Sequence, residues 1–260
     1  MQPDPRTGPE KELIIFDKDG TLTDSKSVID DEMAALLVQL LAKKKVAIIS
    51  GSIYQIFETQ ILNRLPVGTL HLTNLYLLPT SGTRLYVWQG NWQEKYAENL
   101  SESDKKLILE KLKMALTMAK YEFPTKTNGK QSYGEIIEDR GSQITFSALG
   151  QNAPLKPKEA WDPTREKRQL IVSYLQDKLP RFDVRIGGTT SIDITIKGVN
   201  KAYGIRKLED FLKIPTERIV FIGDTIFPGG NDYPAKSTGV DCIQVSGPEE
   251  TKKVIMRLLS

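Results

Sequence analysis

ELIIFDKDGTLTD, residues 12–24, runs from an apolar stretch into two carboxylates, Asp17 and Asp19, and then straight into Gly20-Thr21. A short apolar run bounded by turn residues reads as a buried strand. Two carboxylates crowded at its tip repel, so the site needs a positive partner, or one carboxyl must hold a proton. Downstream, Met33, Leu36, Leu37, Leu40 and Leu41 recur at helical spacing, and Lys43–Lys45 suit the negative end of that helix. Val46–Ile49 and Leu75–Leu78 are further buried strands, the first ending in Ser50-Gly51-Ser52 and the second in Pro79-Thr-Ser-Gly82. Strands alternating with helices predict a parallel sheet covered on both faces.

The rhythm changes near residue 83. Arg84–Trp88 and Trp92–Tyr96 flank Gln89-Gly-Asn91, a hairpin pattern. Ser101 and Asp104 form a helix cap ahead of Leu107, Leu109, Leu112 and Leu116. Tyr133–Glu138 and Gln143–Leu149 read as strands around the turn Asp139-Arg140-Gly141-Ser142. In the second of these, Ile144, Phe146 and Ala148 alternate with polar residues, as in a sheet with one wet face. Asp162-Pro163 marks the start of a helix that runs to Leu179-Pro180. From Ser191 the first rhythm returns: strand Ser191–Ile196, helix Lys201–Leu212, strand Ile219–Ile222 ending in Gly223-Asp224, strand Cys242–Val245 and a helix from Pro248. The expected organisation is α/β. A doubly wound, Rossmann-like core with a parallel sheet occupies 11–82 and 187–260. An α+β insert with an antiparallel sheet occupies 83–186, and a polar tail occupies 1–10.

Composition narrows the chemistry. A hydrophobic content of 39% and a charged content of 27% describe an ordinary globular chain. The net charge of +3, with lysines and acids interspersed, lacks the basic clustering of a nucleic-acid surface. No apolar run is long enough to span a membrane, and the start lacks an apolar signal segment. One cysteine, Cys242, excludes an internal disulfide framework and fits a reducing, cytoplasmic compartment. One histidine, His71, argues against His-rich zinc sites and Ser-His triads. Carboxylates, lysine, hydroxyls and a hard metal remain.

In open parallel sheets, ligands bind at the carboxyl ends of the strands. Four such places in the core carry polar groups: Asp17 with Asp19, Ser50, the segment leading to Lys201, and Asp224. Asp17 and Asp224 together suit Mg²⁺, which prefers oxygen ligands and supplies the missing positive charge. A carboxylate screened by a metal and by Lys201 can attack a phosphoryl group. Ser50 can donate to a phosphoryl oxygen beside the backbone of Gly51 and Ser52, near a helix N-terminus.

FDKDGTLTD, AIISGS, the lysine of GVNKAYG and VFIGDTIFPGGND resemble the four ordered motifs of the haloacid dehalogenase superfamily of phosphotransferases. The insert after the third strand resembles the type IIB cap of its sugar phosphatases and phosphomannomutases. GDTIFPGGND, SGS and the stretch Gly187–Lys201 resemble the eukaryotic-type phosphomannomutase family in particular. That resemblance implies Asp17 as nucleophile, forming an aspartyl-phosphate, and Asp19 as general acid/base whose backbone carbonyl joins the metal shell. It implies Asp224 as the second carboxylate ligand, Asp232 close to the metal, and Lys201 bridging Asp17 and the phosphoryl group. In the insert it implies Ser191 and Asp193 as contacts to sugar hydroxyls and Arg140 as a phosphate contact, where a planar guanidinium suits the oxygens.

The chain departs from the family where arginines are expected, at Gln151, Lys158 and Lys26. Lys158 also lies among Pro154, Lys156 and Pro157, where an exposed loop charge competes with a ligand role. The implied reaction is Mg²⁺-dependent phosphoryl transfer on a small phosphorylated hexose, interconverting 1- and 6-phosphates. The alternatives are a sugar-phosphate phosphatase and a non-catalytic sugar-phosphate binder. The resemblance also admits a cap-mediated homodimer.

Overall fold

β1 (Leu13–Asp17) is an interior strand of the sheet that the opening motif predicts, in a computed structural model that describes residues 10–25, 27–66, 68, 71–124 and 132–260. The chain continues through α1 (Asp31–Leu41), β2 (Lys45–Ile49), α2 (Tyr54–Gln60) and β3 (Leu75–Leu78) to a hairpin, β4 (Arg84–Trp88) and β5 (Trp92–Ala97). It then forms α3 (Glu102–Met118), β6 (Ile137–Asp139), β7 (Gln143–Ser147), α4 (Leu155–Trp161), α5 (Glu166–Lys178), β8 (Phe182–Gly187) and β9 (Ser191–Ile196). The last elements are α6 (Lys201–Leu212), β10 (Ile219–Gly223), β11 (Asp241–Gln244) and α7 (Pro248–Leu259). The expected tail at 1–10 lies, up to residue 9, outside the described residues. Among those described, no helix is long and apolar enough to cross a membrane.

Two compact units result: the described residues up to Ala97 with Val199–Ser260, and Glu98–Gly198. The first holds a seven-stranded sheet ordered β11-β10-β1-β2-β3-β4-β5, parallel from β11 to β3 and antiparallel at the β4–β5 edge. Alternation along β1 sets its two faces. Ile14 and Phe16 pack with Met33 and Leu37 of α1 and Phe57 of α2. Leu13 and Ile15 pack with Ile205 and Leu208 of α6. The second unit has a four-stranded antiparallel sheet, β6-β7-β9-β8. One face buries Ile144, Phe146, Ile192 and Ile194 against Ile108, Leu112 and Leu116 of α3 and Ile171 and Leu175 of α5.

The insert boundaries expected at 83 and 186 fall inside the units. The β4–β5 hairpin extends the first sheet, because Leu85 and Val87 join the cluster of Tyr76 and Leu78 while β4 pairs with β3. At the other end, β8 and β9 pair register for register, Val184 with Ile194, within the second sheet. β8 went unpredicted although Phe182, Val184 and Ile186 alternate with polar residues. The wet face expected on β7 is also corrected. Gln143, Thr145 and Ser147 are buried; the first two donate to Asp193 of β9, and Ser147 Oγ lies 3.2 Å from Ser191 Oγ. The helix expected from Asp162 begins four residues later, with both Asp162 oxygens accepting from the backbone of Lys167 and Arg168.

Candidate active site

The alternation along β1 continues past its end. Asp17 has the parity of Leu13 and Ile15 and faces α6, whose first residue is Lys201. Asn200 caps that helix by accepting from the amide of Tyr203 at 3.2 Å, which fixes where the helix begins. The Lys201 side chain is buried, and its Nζ donates both to Asp17 Oδ1 and, at 2.6 Å, to Asp232 Oδ1. Asp232 Oδ2 in turn accepts from the amide of Thr225 at 3.1 Å and its hydroxyl at 3.0 Å. β10 delivers Asp224 one residue beyond its end, since Phe16 stands level with Ile222 in the parallel pairing.

Carboxylate oxygens of Asp17, Asp224 and Asp232 thereby lie within 4.8 Å of one another. Two glycines allow that crowding. A Cβ at Gly20, which has φ +80°, would stand 2.5 Å from Asp224 Oδ2; one at Gly223 would stand 2.5 Å from Asp232 Oδ2.

Electrostatics separates the three acids. Burial pushes Asp17 up to about 7, against the pull of Lys201 and with the charge of Asp232 adding to the rise. Burial, then the neighbouring Asp232, lifts Asp224 to about 6. For Asp232 burial acts in the same direction, but Lys201 and the Thr225 donors outweigh it and hold it below the usual carboxylate range. Lys201 stays charged because Asp17 and Asp232 outweigh its own burial. One ammonium therefore faces three clustered carboxylates, and this donor set fits a hard divalent cation.

Asp19, expected in the metal shell, stands apart from this trio by its side chain. Its Oδ2 pairs at 2.8 Å with Nζ of Lys18. Ser50 Oγ lies 3.2 Å from Ser52 Oγ and accepts from the Ser52 amide at 3.2 Å. The helix beyond Gly51 is α2, only seven residues long and without a side-chain cap.

The residues expected in the insert fall into two hydrogen-bonded clusters on the second unit, one around Glu138 and Ser147 and one around Asp193. Arg140 donates to Glu138 Oε2 from Nε at 3.0 Å and from Nη2 at 2.6 Å. Gln151 Nε2 donates to the same oxygen at 2.9 Å and to Ser147 Oγ at 3.1 Å. Ser147 Oγ lies 3.2 Å from Ser191 Oγ, and Asp193 Oδ1 accepts from Gln143 and Thr145 at 2.8 Å. Lys158 is not an exposed loop charge. It is buried in α4 and donates to the Gln151 carbonyl at 2.7 Å. Lys26 lies outside the described residues.

Sequence reasoning passed over Thr225, Lys18, Gln60 and Glu138. Thr225 directly follows Asp224, so the strand-end position could have flagged it. Lys18 stands at a position whose parity matches buried Ile14 and Phe16, a signal available from alternation alone.

The family model of eukaryotic phosphomannomutase matches residues 33–260. The phosphomannomutase of Spinacia oleracea is 30% identical over 253 residues, covering 93% of this chain and 93% of that protein. Among solved structures, the N-terminally truncated, IMP-bound IMP-nucleotidase of Plasmodium falciparum matches with a TM-score of 0.69 at 17% identity, over 96% of this chain and 68% of that one. A haloacid dehalogenase-like hydrolase from Bacteroides thetaiotaomicron matches with a TM-score of 0.62 at 16% identity, over 94% and 92%. The last two likenesses concern the fold alone.

Proposed function

We propose that this chain, which belongs to the eukaryotic phosphomannomutase family, transfers a phosphoryl group between the 1- and 6-oxygens of a phosphorylated hexose. The observation that carries the proposal is the pairing of buried Lys201 with Asp17, beside two further carboxylates, Asp224 at the tip of β10 and Asp232 in the loop that follows. Asp17 attacks phosphorus, the bond from phosphorus to the sugar oxygen breaks, and Asp19 gives that oxygen a proton. In the return step a second sugar hydroxyl attacks the aspartyl-phosphate, Asp19 takes the proton, and Asp17 is released. Lys201 stays charged beside Asp17 and offsets the phosphoryl oxygens, and the Ser50 hydroxyl exchanges its bond to Ser52 for one to a phosphoryl oxygen. Asp17, Asp224 and Asp232 would hold Mg²⁺, which supplies charge neutralisation to the carboxylates and the phosphate. In the second unit, Arg140, Gln151, Ser191 and Asp193 supply the sugar and distal-phosphate contacts.

A phosphatase reading is favoured by two observations. Arg140 is already ion-paired with Glu138, and Lys158 donates to a backbone carbonyl, which weakens the grip on a second phosphate. The test mixes hexose 1-phosphate, Mg²⁺ and catalytic hexose bisphosphate, and follows the 6-phosphate isomer against inorganic phosphate. The isomer is the expected product; phosphate alone selects the phosphatase, and neither product leaves a binding protein.

The metal reading carries its own expectation. Asp17 near 7 and Asp224 near 6 sit above the unfolded carboxylate value of about 4. Between those values the metal-free native state binds more protons than the unfolded chain, so their contribution to stability falls as pH rises and levels off above about 7. Mg²⁺ must displace the same protons. Its increment in melting temperature is therefore expected to be small near pH 5 and to grow to a plateau by about pH 8. Thermal scans with and without Mg²⁺ check this, and an increment independent of pH would remove these carboxylates as ligands.

A further inference from the structure

The residue between the two aspartates carries a charge where the fold asks for none. Lys18 shares the parity of Ile14 and Phe16, which pack against α1 and α2, and is itself 0% exposed. A leucine or methionine would satisfy packing at such a position, whereas a buried ammonium costs several kcal/mol of desolvation unless it is well paired. Among the described residues its Nζ has two partners. Nζ donates to Gln60 Oε1, in the last residue of α2, at 2.6 Å, and pairs with Asp19 Oδ2 at 2.8 Å. Gln60 is fixed in its turn, since its carbonyl accepts from the amide of Ile29 at 3.0 Å. The Lys18 carbonyl accepts from the amides of Leu22 and Thr23, at 3.0 and 3.2 Å, so the turn carrying Asp19 is wound around this residue. The Asp19 side chain is 31% exposed, against 1% for Lys18. The pair thus ties a group that reaches solvent to a group locked in the core.

We infer that Lys18 is a positioning residue: anchored by Gln60, its ammonium fixes the direction of the Asp19 carboxylate for proton transfer at the phosphoryl site. The inference rests on the proposed role of Asp19 and adds the device that orients it. A carboxylate at the mouth of a turn samples several rotamers, and each misdirected one removes the proton carrier from reach. A tether from the α2 side selects one direction without occupying the α6 side, where Asp17 meets Lys201.

The test compares Lys18→Met, Gln60→Leu, Asp19→Asn and the pair Lys18→Met with Asp19→Asn in the full chain. Lys18→Met keeps the apolar stem and removes the charge; it is expected to lower kcat by about a hundredfold, the scale of general acid/base catalysis, with KM and the Mg²⁺-induced melting increment unchanged. Gln60→Leu leaves the ammonium but loosens its anchor, and is expected to lower kcat by roughly tenfold. In the Asp19→Asn background, Lys18→Met is expected to add nothing, because both changes remove one function. Unchanged kcat in Lys18→Met overturns the inference. So does a loss that multiplies with that of Asp19→Asn, or one that appears equally in the Mg²⁺ increment, since Lys18 then acts through packing or through the metal cluster. Full activity in Asp19→Asn, by contrast, overturns the proposed role of Asp19 itself.

Discussion

Asp17→Asn is expected to abolish turnover, by at least about a thousandfold, while making the metal-free protein more stable. The amide has no anionic oxygen with which to attack phosphorus and forms no acyl phosphate. Its carbonyl oxygen can still accept from Lys201, so the α6 start is not pulled away from β1. Stability moves the other way because Asp17 is buried among like charges that one ammonium serves. Removing that charge removes first of all its desolvation cost, which outweighs the attraction of Lys201, and each kcal/mol gained raises the melting temperature of a protein of this size by about 2–4 °C. The Mg²⁺ increment should shrink together with turnover. Product analysis and paired thermal scans with and without Mg²⁺ check all three effects. Retained turnover would place the nucleophile elsewhere.

Lys201→Met has the largest expected effect on stability. It leaves Asp17 and Asp232 facing each other without the ammonium to which both bond. Removing one partner of a buried pair costs about 3–5 kcal/mol, mainly because the remaining charge is uncompensated. The metal-free variant should therefore melt on the order of 10 °C lower. Adding Asp232→Asn to it removes one of the two orphaned charges and the repulsion between them, and this double variant is expected to recover much of the melting temperature and none of the activity. That split separates the structural from the chemical duty of Lys201. If the second change restores nothing, the loss lies in the packing of the helix start and not in the charge balance. Activity in either variant would remove Lys201 from the phosphoryl site.

Much of the core is legible in the sequence. The apolar runs at Leu13–Phe16, Val46–Ile49, Leu75–Leu78 and Ile219–Ile222 are strands of one sheet because an apolar run buried on both faces has few other solutions. The second unit was read less well. β6 is three residues long, and α4 holds Lys156 and Pro157 where the prolines suggested a loop. The hairpin β4–β5 carries a strand-like alternation, but alternation does not say which sheet a strand will join. Its place beside β3 follows from a surface, the row of Tyr76 and Leu78, that exists only once the sheet is assembled.

The site divides along the same line. Period and chain order determined by themselves that Asp17 ends a buried strand, that Lys201 begins a helix and that Asp224 stands at the tip of another strand. Backbone geometry alone dictates such positions within a few residues. Tertiary structure decided which charged ends meet. Asp17 and Lys201 are 184 residues apart, and the register of β1 with β10 brings Asp224 and Asp232 to them. It also decided that Lys201 is shared with Asp232, that Lys18 turns to Asp19 and Gln60, and that Glu138 gathers Arg140 with Gln151. Long side chains find their partners across the assembled faces of the sheets, where Coulomb attraction and desolvation are balanced only after burial, and no spacing along the chain encodes that balance.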